Sequence, residues 1–111
     1  MLEKTVTNQI MRYLRGLPCV FCWKQPGGMY GTAGLPDIIC CVNGLFVAFE
    51  VKRPGGRMTK LQEVTQHKIC NSGGLAFKVE SLNEVVRIMG ILEVIHNDNS
   101  MDLSGQESSD N

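Results

Sequence analysis

The sequence predicts an α/β protein in which a mixed central sheet is flanked by helices, with its elements in the order αβββαβα. Three observations support this prediction: apolar residues at helical spacing near the N-terminus, an Asn-Gly pair between two apolar runs, and two helix-capping patterns in the second half. With 111 residues, the chain is large enough for one hydrophobic core and too small for two. We therefore predict one folded domain, residues 1–92, followed by a C-terminal tail, residues 93–111.

The first half of the chain predicts one helix followed by three strands. An amphipathic helix is expected over about residues 2–15, because apolar residues recur there every three or four positions: Leu2, Val6, Ile10, Leu14 and Leu17. A short strand follows over residues 19–24, and then a loop rich in glycine and proline. The dipeptide Asn43-Gly44 is typical of a tight hairpin and joins two strands predicted over about residues 37–42 and 45–52.

Two capping boxes organise the second half of the chain. Thr59 and Gln62 form the first and begin a helix that leads to a strand over residues 75–80. Ser81 and Glu84 form the second and begin the last helix.

The net charge of zero conceals an uneven distribution along the chain. All eleven Lys and Arg and six of the eleven acids lie in residues 1–92, so this segment carries 11 − 6 = +5. The last nineteen residues carry the other five acids and no Lys or Arg, which gives −5. A basic domain of this kind is compatible with a polyanionic partner. The tail has too little apolar content to fold, and we expect it to be disordered.

The cysteines and the apolar runs indicate a protein of a reducing compartment. Cys19 and Cys22 form a CxxC pattern, but no second pair at zinc-ribbon spacing accompanies them, so structural thiols are favoured over a metal site. No apolar run approaches the roughly 18 residues of a membrane span, and the charged N-terminus is unlike a signal peptide. We therefore expect a cytoplasmic protein.

The predicted hairpin brings three charged residues together. A two-residue loop at Asn43-Gly44 fixes the strand pairing and sets Asp37 directly opposite Glu50. Lys52 lies two residues beyond Glu50 and so projects from the same face. Two carboxylates so placed repel each other, and both faces of this hairpin are otherwise apolar, so we expect it to be central and covered.

A divalent cation between the two carboxylates would offset their repulsion, since Mg²⁺ takes one or two carboxylates and keeps several waters. Lys52 beside it could then orient or activate a water. A purely structural role remains open for each residue. Asp37 follows a proline and is an ordinary turn residue, and Glu50 with Lys52 could form a solvated strand edge. A β-bulge would also move Asp37 out of line.

The segment GLPDIICCVNGLFVAFEVKRPGGRMTKLQ resembles the PD-(D/E)xK nuclease superfamily and, more specifically, its VRR-NUC branch. The resemblance covers residues 1 to about 92. The positions that match the branch's pattern are Gly34, Pro36, Asp37, Glu50, Lys52, Gly56, Arg57, Thr59 and Gln62. It implies a restriction-endonuclease-like αβββαβ core and hydrolysis of nucleic-acid phosphodiesters that depends on Mg²⁺ or Mn²⁺.

The resemblance also implies roles for individual residues. Asp37 and Glu50 would hold the metal with the backbone carbonyl of Val51, and Lys52 would assist the attacking water. The resemblance also implies that Glu3 on the first helix is a metal ligand and catalytic residue, and that Gln62 on the helix after the ExK element is a catalytic residue. Each has another interpretation, because a Glu in a first helical turn suits the helix dipole and Gln62 belongs to a capping box.

Contacts to nucleic acid are expected through phosphates and shape, because the sequence contains no recognition helix. Basic residues follow the ExK element directly, and a glycine-rich loop precedes Asp37. The predicted contacts are Arg53, Arg57, Lys60, Lys24 and Tyr30.

Short members of the branch resemble phage and bacterial Holliday-junction resolvases, which implies branched DNA as the substrate and a homodimer as the active form. A chain of this size offers one site, and two symmetric cuts need a second site from a two-fold partner. The alternatives are a flap or single-strand nuclease, a non-catalytic nucleic-acid-binding module with the nuclease fold, and a small structural protein whose acids only cap the hairpin.

Overall fold

The structure, a computed structural model, describes residues 2–26 and 33–110, with side chains to residue 98. Its elements follow the predicted order αβββαβα and most of the predicted boundaries to within about one residue. They are α1 (Glu3–Arg15), β1 (Val20–Lys24), β2 (Ile38–Val42), β3 (Leu45–Val51), α2 (Lys60–Asn71), β4 (Leu75–Val79) and α3 (Leu82–Asp110).

The four strands form one mixed sheet in the order β1-β2-β3-β4. β1 pairs antiparallel with β2, and β2 with β3, whereas β4 lies parallel to β3. Helix α2 lies in the crossover between the two parallel strands, as a parallel pair requires. The predicted fold class is confirmed.

The hairpin has the predicted register. Asn43 and Gly44 both have positive φ, at 51° and 85°, which is the two-residue turn that matches the twist of the flanking strands. Val42 pairs with Leu45, and the ladder continues without a bulge to its last pair, Ile38 and Phe49. The next residues along the two strands are Asp37 and Glu50, so the register points these acids toward each other.

The main core lies between one face of the sheet and helices α1 and α3. Inward-facing residues of all four strands meet apolar residues of both helices there: Val6, Ile10, Leu14, Cys22, Ile38, Cys40, Val47, Phe49, Val79, Val85 and Met89. Helix α2 packs at the β4 side, where a Cβ on Gly74 would lie 3.2 Å from the ring of Phe46.

The expectation that the hairpin is covered on both faces is only partly right. Cys41 and Phe46, near the turn, are exposed, and so are Phe21 and Trp23 on edge strand β1. At the opposite end of the hairpin Ala48 and Glu50 are buried. Covering is therefore most complete where the charged residues lie.

The first capping box is confirmed and the second forms only in part. Thr59 Oγ1 accepts from the Gln62 backbone N–H, and Gln62 Oε1 accepts from the Thr59 backbone N–H. At α3 the Glu84 backbone N–H donates to Ser81 Oγ at 3.4 Å, but the Glu84 carboxylate accepts from the Glu80 backbone N–H. The reciprocal bond is displaced by one residue toward β4.

Helix α3 extends to Asp110 and so includes residues for which the sequence predicts disorder. The disordered tail over residues 93–111 and the domain boundary at residue 92 stay predictions. Within the described part of the chain, no helix is long and apolar enough to cross a membrane.

Candidate active site

Asp37 and Glu50 lie at the open end of the hairpin, one step beyond its last strand pair. The backbone positions Asp37 from both sides. The Asp37 carbonyl accepts from the Gln25 N–H at 2.8 Å, which continues the pairing with β1. The Val51 N–H donates to Asp37 Oδ2 at 2.7 Å, so the residue after Glu50 orients the Asp37 carboxylate.

Glu50 is a buried carboxylate, with only 5 % of its surface exposed. Its Oε1 atom accepts from Gln62 Nε2 at 2.7 Å and lies 3.7 Å from Lys52 Nζ. Its Oε2 atom is buried and has no hydrogen-bond partner within the described residues. Burial, together with the negative charge of Asp37, raises the pKa of Glu50 to about 7, although the Lys52 charge opposes this shift. A buried polar atom without a partner is costly, and a proton shared with Asp37 or a bound cation would offset that cost.

Gln62 links helix α2 to the acid pair. Its carbonyl oxygen completes the capping box with Thr59, and its amide nitrogen donates to Glu50. The two interpretations of Gln62, as a capping residue and as a site residue, are therefore compatible, because the oxygen and the nitrogen of one amide group make the two contacts.

Glu3 is brought to the same end of the sheet by helix α1. Its Oε1 atom accepts from the Arg53 N–H at 3.1 Å, directly after Lys52 in sequence. The Lys52 N–H in turn donates to the Val79 carbonyl at 2.9 Å, which anchors the end of β3 to β4. Glu3 thus lies next to the ExK element but is exposed, whereas Glu50 is buried.

Two glycines of the resemblance allow close packing around the site. A Cβ on Gly34, whose φ is +85°, would lie 2.8 Å from Leu61 Cγ and 2.9 Å from the Leu61 carbonyl oxygen. The segment before Asp37 therefore packs directly on α2, the helix that presents Gln62. A Cβ on Gly56 would lie 2.9 Å from the Arg53 carbonyl oxygen in the turn after the ExK element.

The predicted nucleic-acid contacts surround this end of the sheet in part. Lys24 lies at the end of β1 and is exposed, but it pairs with Ile38 and so projects from the face opposite to Asp37. Arg53, Arg57 and Lys60 are also exposed. Tyr30 lies outside the described residues.

Sequence reasoning missed Lys78 and Glu80. Lys78 on β4 is the strand partner of Glu50, and it lies with Arg57 and Lys60 around one cleft. Glu80 pairs with Lys78 at 3.6 Å and accepts from the Gly55 N–H. The signal that could have found Lys78 is a lysine within the otherwise apolar strand LAFKV, the same kind of exception that identified the hairpin acids.

The donor set at Asp37 and Glu50 fits a hard divalent cation. Two neighbouring carboxylates, one with a buried oxygen that lacks a partner, match the few protein ligands that Mg²⁺ takes while keeping several waters. Among the described residues, no group of three or more His, Cys, Asp or Glu side chains is arranged to hold a metal ion. Further ligands would therefore come from the backbone, as the resemblance implies for Val51, and from water.

The cysteines form no second site within the described part. All five are free thiols, and the CxxC pair divides, since Cys19 is exposed and Cys22 is buried against Cys40 on the next strand. Burial raises the pKa of the Cys40 thiol to about 12, which keeps it protonated.

The structure resembles solved VRR_NUC domains. One, described as "VRR_NUC domain", is 20 % identical over 79 % of this chain and 94 % of its own length, with a TM-score of 0.66. Another, described as "VRR_NUC domain protein", is 17 % identical over 81 % of this chain and 86 % of its own length, also with a TM-score of 0.66. No family model and no curated protein matches the sequence. The chain therefore has the fold of the VRR-NUC group, as the sequence resemblance implies.

Proposed function

We propose that this chain is a VRR-NUC nuclease, a metal-dependent endonuclease that hydrolyses phosphodiester bonds in branched DNA, and that it resolves Holliday junctions as a homodimer. The observation that supports a nuclease best is the opposed pair of Asp37 and Glu50, with Lys52 on the same face and one buried Glu50 oxygen without a partner. A structural protein gains nothing from such a pair, because it destabilises the fold.

Asp37, Glu50 and the Val51 carbonyl are the residues that would hold Mg²⁺ or Mn²⁺. Bound there, the cation supplies a Lewis acid for the phosphate and lowers the pKa of a water. The protein contributes orientation, since the Val51 N–H holds one carboxylate and Gln62 holds the other. Glu3 supports the site through the Arg53 backbone.

Lys52 is proposed to orient or deprotonate the attacking water and to offset negative charge in the transition state. Its ammonium lies 3.7 Å from Glu50 Oε1, and its side chain is only 16 % exposed, so the charge stays close to the carboxylates. Lys24, Arg53, Arg57, Lys60 and Tyr30 are proposed to contact the DNA backbone.

A homodimer is proposed because the described part of the chain contains one candidate site and resolution needs two symmetric cuts. Helix α3 offers a surface that supports self-association. Ile91, Val94 and Ile95 lie on one helical face and are each more than half exposed. Sedimentation of the wild type and of Val94→Glu tests this, with a dimer expected for the wild type and a monomer for the variant. A monomeric wild type would contradict the dimer.

The decisive experiment incubates the protein with Mg²⁺ and a labelled mobile four-way junction, in parallel with flap and single-stranded substrates. Paired symmetric nicks by the wild type and none by Lys52→Ala are expected. Cleavage of the flap or single strand alone would replace the resolvase assignment with a flap or single-strand nuclease. Tight binding without cleavage in Mg²⁺ or Mn²⁺ would favour a non-catalytic module, and full cleavage by Lys52→Ala would refute the proposed site.

A further inference from the structure

A cleft of about 550 Å³ lies beside the acid pair, between the start of α2 and strand β4. Its walls come from the segment before α2, from the first two turns of α2 and from one β4 side chain. The lining residues are Arg57, Met58, Lys60, Glu63, Gln66 and Lys78.

The charges of the cleft favour an anion. Arg57, Lys60 and Lys78 supply three positive charges. The acids near them are Glu63 in the lining and, outside it, Glu80, which lies 3.6 Å from Lys78, and Glu50, the strand partner of Lys78. The lining itself carries 3 − 1 = +2, and the positive end of the α2 dipole adds to it. The Glu80 carboxylate lies between the Lys78 ammonium and the Gly55 N–H, from which it accepts at 3.1 Å.

The position of Lys78 beside Glu50 suggests that the anion bound in the cleft is a DNA phosphate. The two residues are strand partners in the parallel β3-β4 pair, so they project from the same face about 4.8 Å apart at the backbone. Each strand of a DNA duplex carries one phosphate for about every 3.4 Å of helix axis. A strand whose scissile phosphate lies at Asp37 and Glu50 therefore carries further phosphates close by, and the cleft lies on the side of Glu50 where one of them would be bound.

We infer that Lys78, with Arg57 and Lys60, forms a phosphate-binding subsite for a nucleotide that flanks the scissile bond. The subsite rests on the proposed nuclease function. Lys78 is a positioning residue in it, since its role is to hold the DNA strand in register with the metal-binding acids. It adds no base contact and therefore no sequence preference.

Binding in the absence of divalent cations tests the subsite separately from cleavage. The probe is a fluorescent duplex in EDTA, and the dissociation constant is measured across a salt series of about 50–200 mM. For Lys78→Gln the slope of log K against log salt should become shallower by about 0.9, which corresponds to one lost phosphate contact, with affinity lower by about fivefold. Lys78→Arg should retain the wild-type slope, because it retains the charge. Lys68→Gln, at the exposed far end of α2, is the matched control and should also keep that slope.

A phosphate scan then locates the contact. Single methylphosphonates, which remove one charge, are placed around the cleavage position of the substrate. One flanking position should lower wild-type cleavage by about fivefold and have no further effect on Lys78→Gln, as expected for two groups that act on each other.

The outcomes separate the two proposals. A wild-type slope in Lys78→Gln, or an equal change in Lys68→Gln, overturns the subsite even if the protein cleaves DNA. If the slope is shallower only in Lys78→Gln and the wild type does not cleave DNA in Mg²⁺, the phosphate subsite is supported and the proposed nuclease function is contradicted. Methylphosphonate effects that are the same in both proteins would also overturn it.

Discussion

Two Glu-Lys pairs lie at the same end of the sheet and have opposite environments. Glu50 and Lys52 end strand β3, and Lys78 and Glu80 end strand β4; each pair is spaced two residues apart. Their ion-pair distances are nearly equal, at 3.7 Å and 3.6 Å. The Glu50 side chain is 7 % exposed and leaves one oxygen without a partner, whereas that of Glu80 is 31 % exposed and accepts from Gly55.

Lys78 and Glu80 form an ion pair at a solvated strand edge. The sequence left the same interpretation open for Glu50 and Lys52. Exposed pairs of this kind contribute about 0–1 kcal/mol to stability. Glu50 differs because it is buried opposite a second acid, Asp37, and its pKa is raised to about 7. Distance and residue type alone therefore do not identify a site; burial and the opposed acid do.

If the two lysines had the same role, replacing either one by alanine would have the same effect on cleavage. Lys52→Ala should lower the cleavage rate at saturating DNA by about 10²–10⁴-fold, the usual contribution of a general acid or base. Lys78→Ala should change this rate by less than about tenfold, because its proposed contact acts mainly on binding. Single-turnover cleavage of a labelled junction in Mg²⁺ measures both. Similar losses in the two variants would contradict separate roles.

Glu50 should make the stability of the protein depend on pH when divalent cations are absent. The pKa of Glu50 is raised from 4.5 to about 7, so its contribution to stability is fully present below pH 4.5 and is lost as pH rises through 7. The loss should be about 3 kcal/mol, at about 1.4 kcal/mol for each pH step between the two values. Urea unfolding in EDTA at pH 5 and pH 8 measures it, taken as the difference between wild type and Glu50→Gln. If the stability of Glu50→Gln changed with pH as that of the wild type does, Glu50 would not be perturbed.

Divalent cations should stabilise the protein through Glu50 and Asp37 and not through Glu80. A ligand at about 100 times its dissociation constant stabilises a fold by about 2.7 kcal/mol. The melting temperature in Mg²⁺ or Mn²⁺ at pH 8 should therefore rise by several degrees for the wild type and for Glu80→Gln. The rise should be absent in Glu50→Gln and in Asp37→Asn. An equal rise in all four proteins would place the cation elsewhere, and no rise in any would favour the structural interpretation.

Local pattern was enough to predict the hairpin acids, because a two-residue turn and a two-residue side-chain period fix which residues face each other. It was also enough for the Thr59 capping box and for the element order. Contacts between distant segments needed the structure. The bond from Gln62 to Glu50 depends on how α2 packs in its crossover, and Glu3 meets Arg53 from the other end of the chain. Lys78 was missed because its place beside Glu50 depends on the parallel register of β4, which no local pattern specifies.

The smallest expected difference concerns the two helix starts that support the pairs. Gln62 donates to the Glu50 carboxylate, whereas Glu84 at the start of α3 accepts only from the Glu80 backbone N–H. Gln62→Ala should cost about 1 kcal/mol at pH 5.5, the usual net value of a lost hydrogen bond. At pH 8.5 it should cost about 2–3 kcal/mol in EDTA, because the ionised Glu50 then loses a donor that a buried charge needs. Glu84→Ala should cost about 1 kcal/mol at both pH values, since the one bond it loses does not involve Glu50. Urea unfolding of the two variants at both pH values gives the comparison. A cost for Gln62→Ala that does not change with pH would mean that Gln62 serves α2 alone and leaves the acid pair to be positioned by the strands.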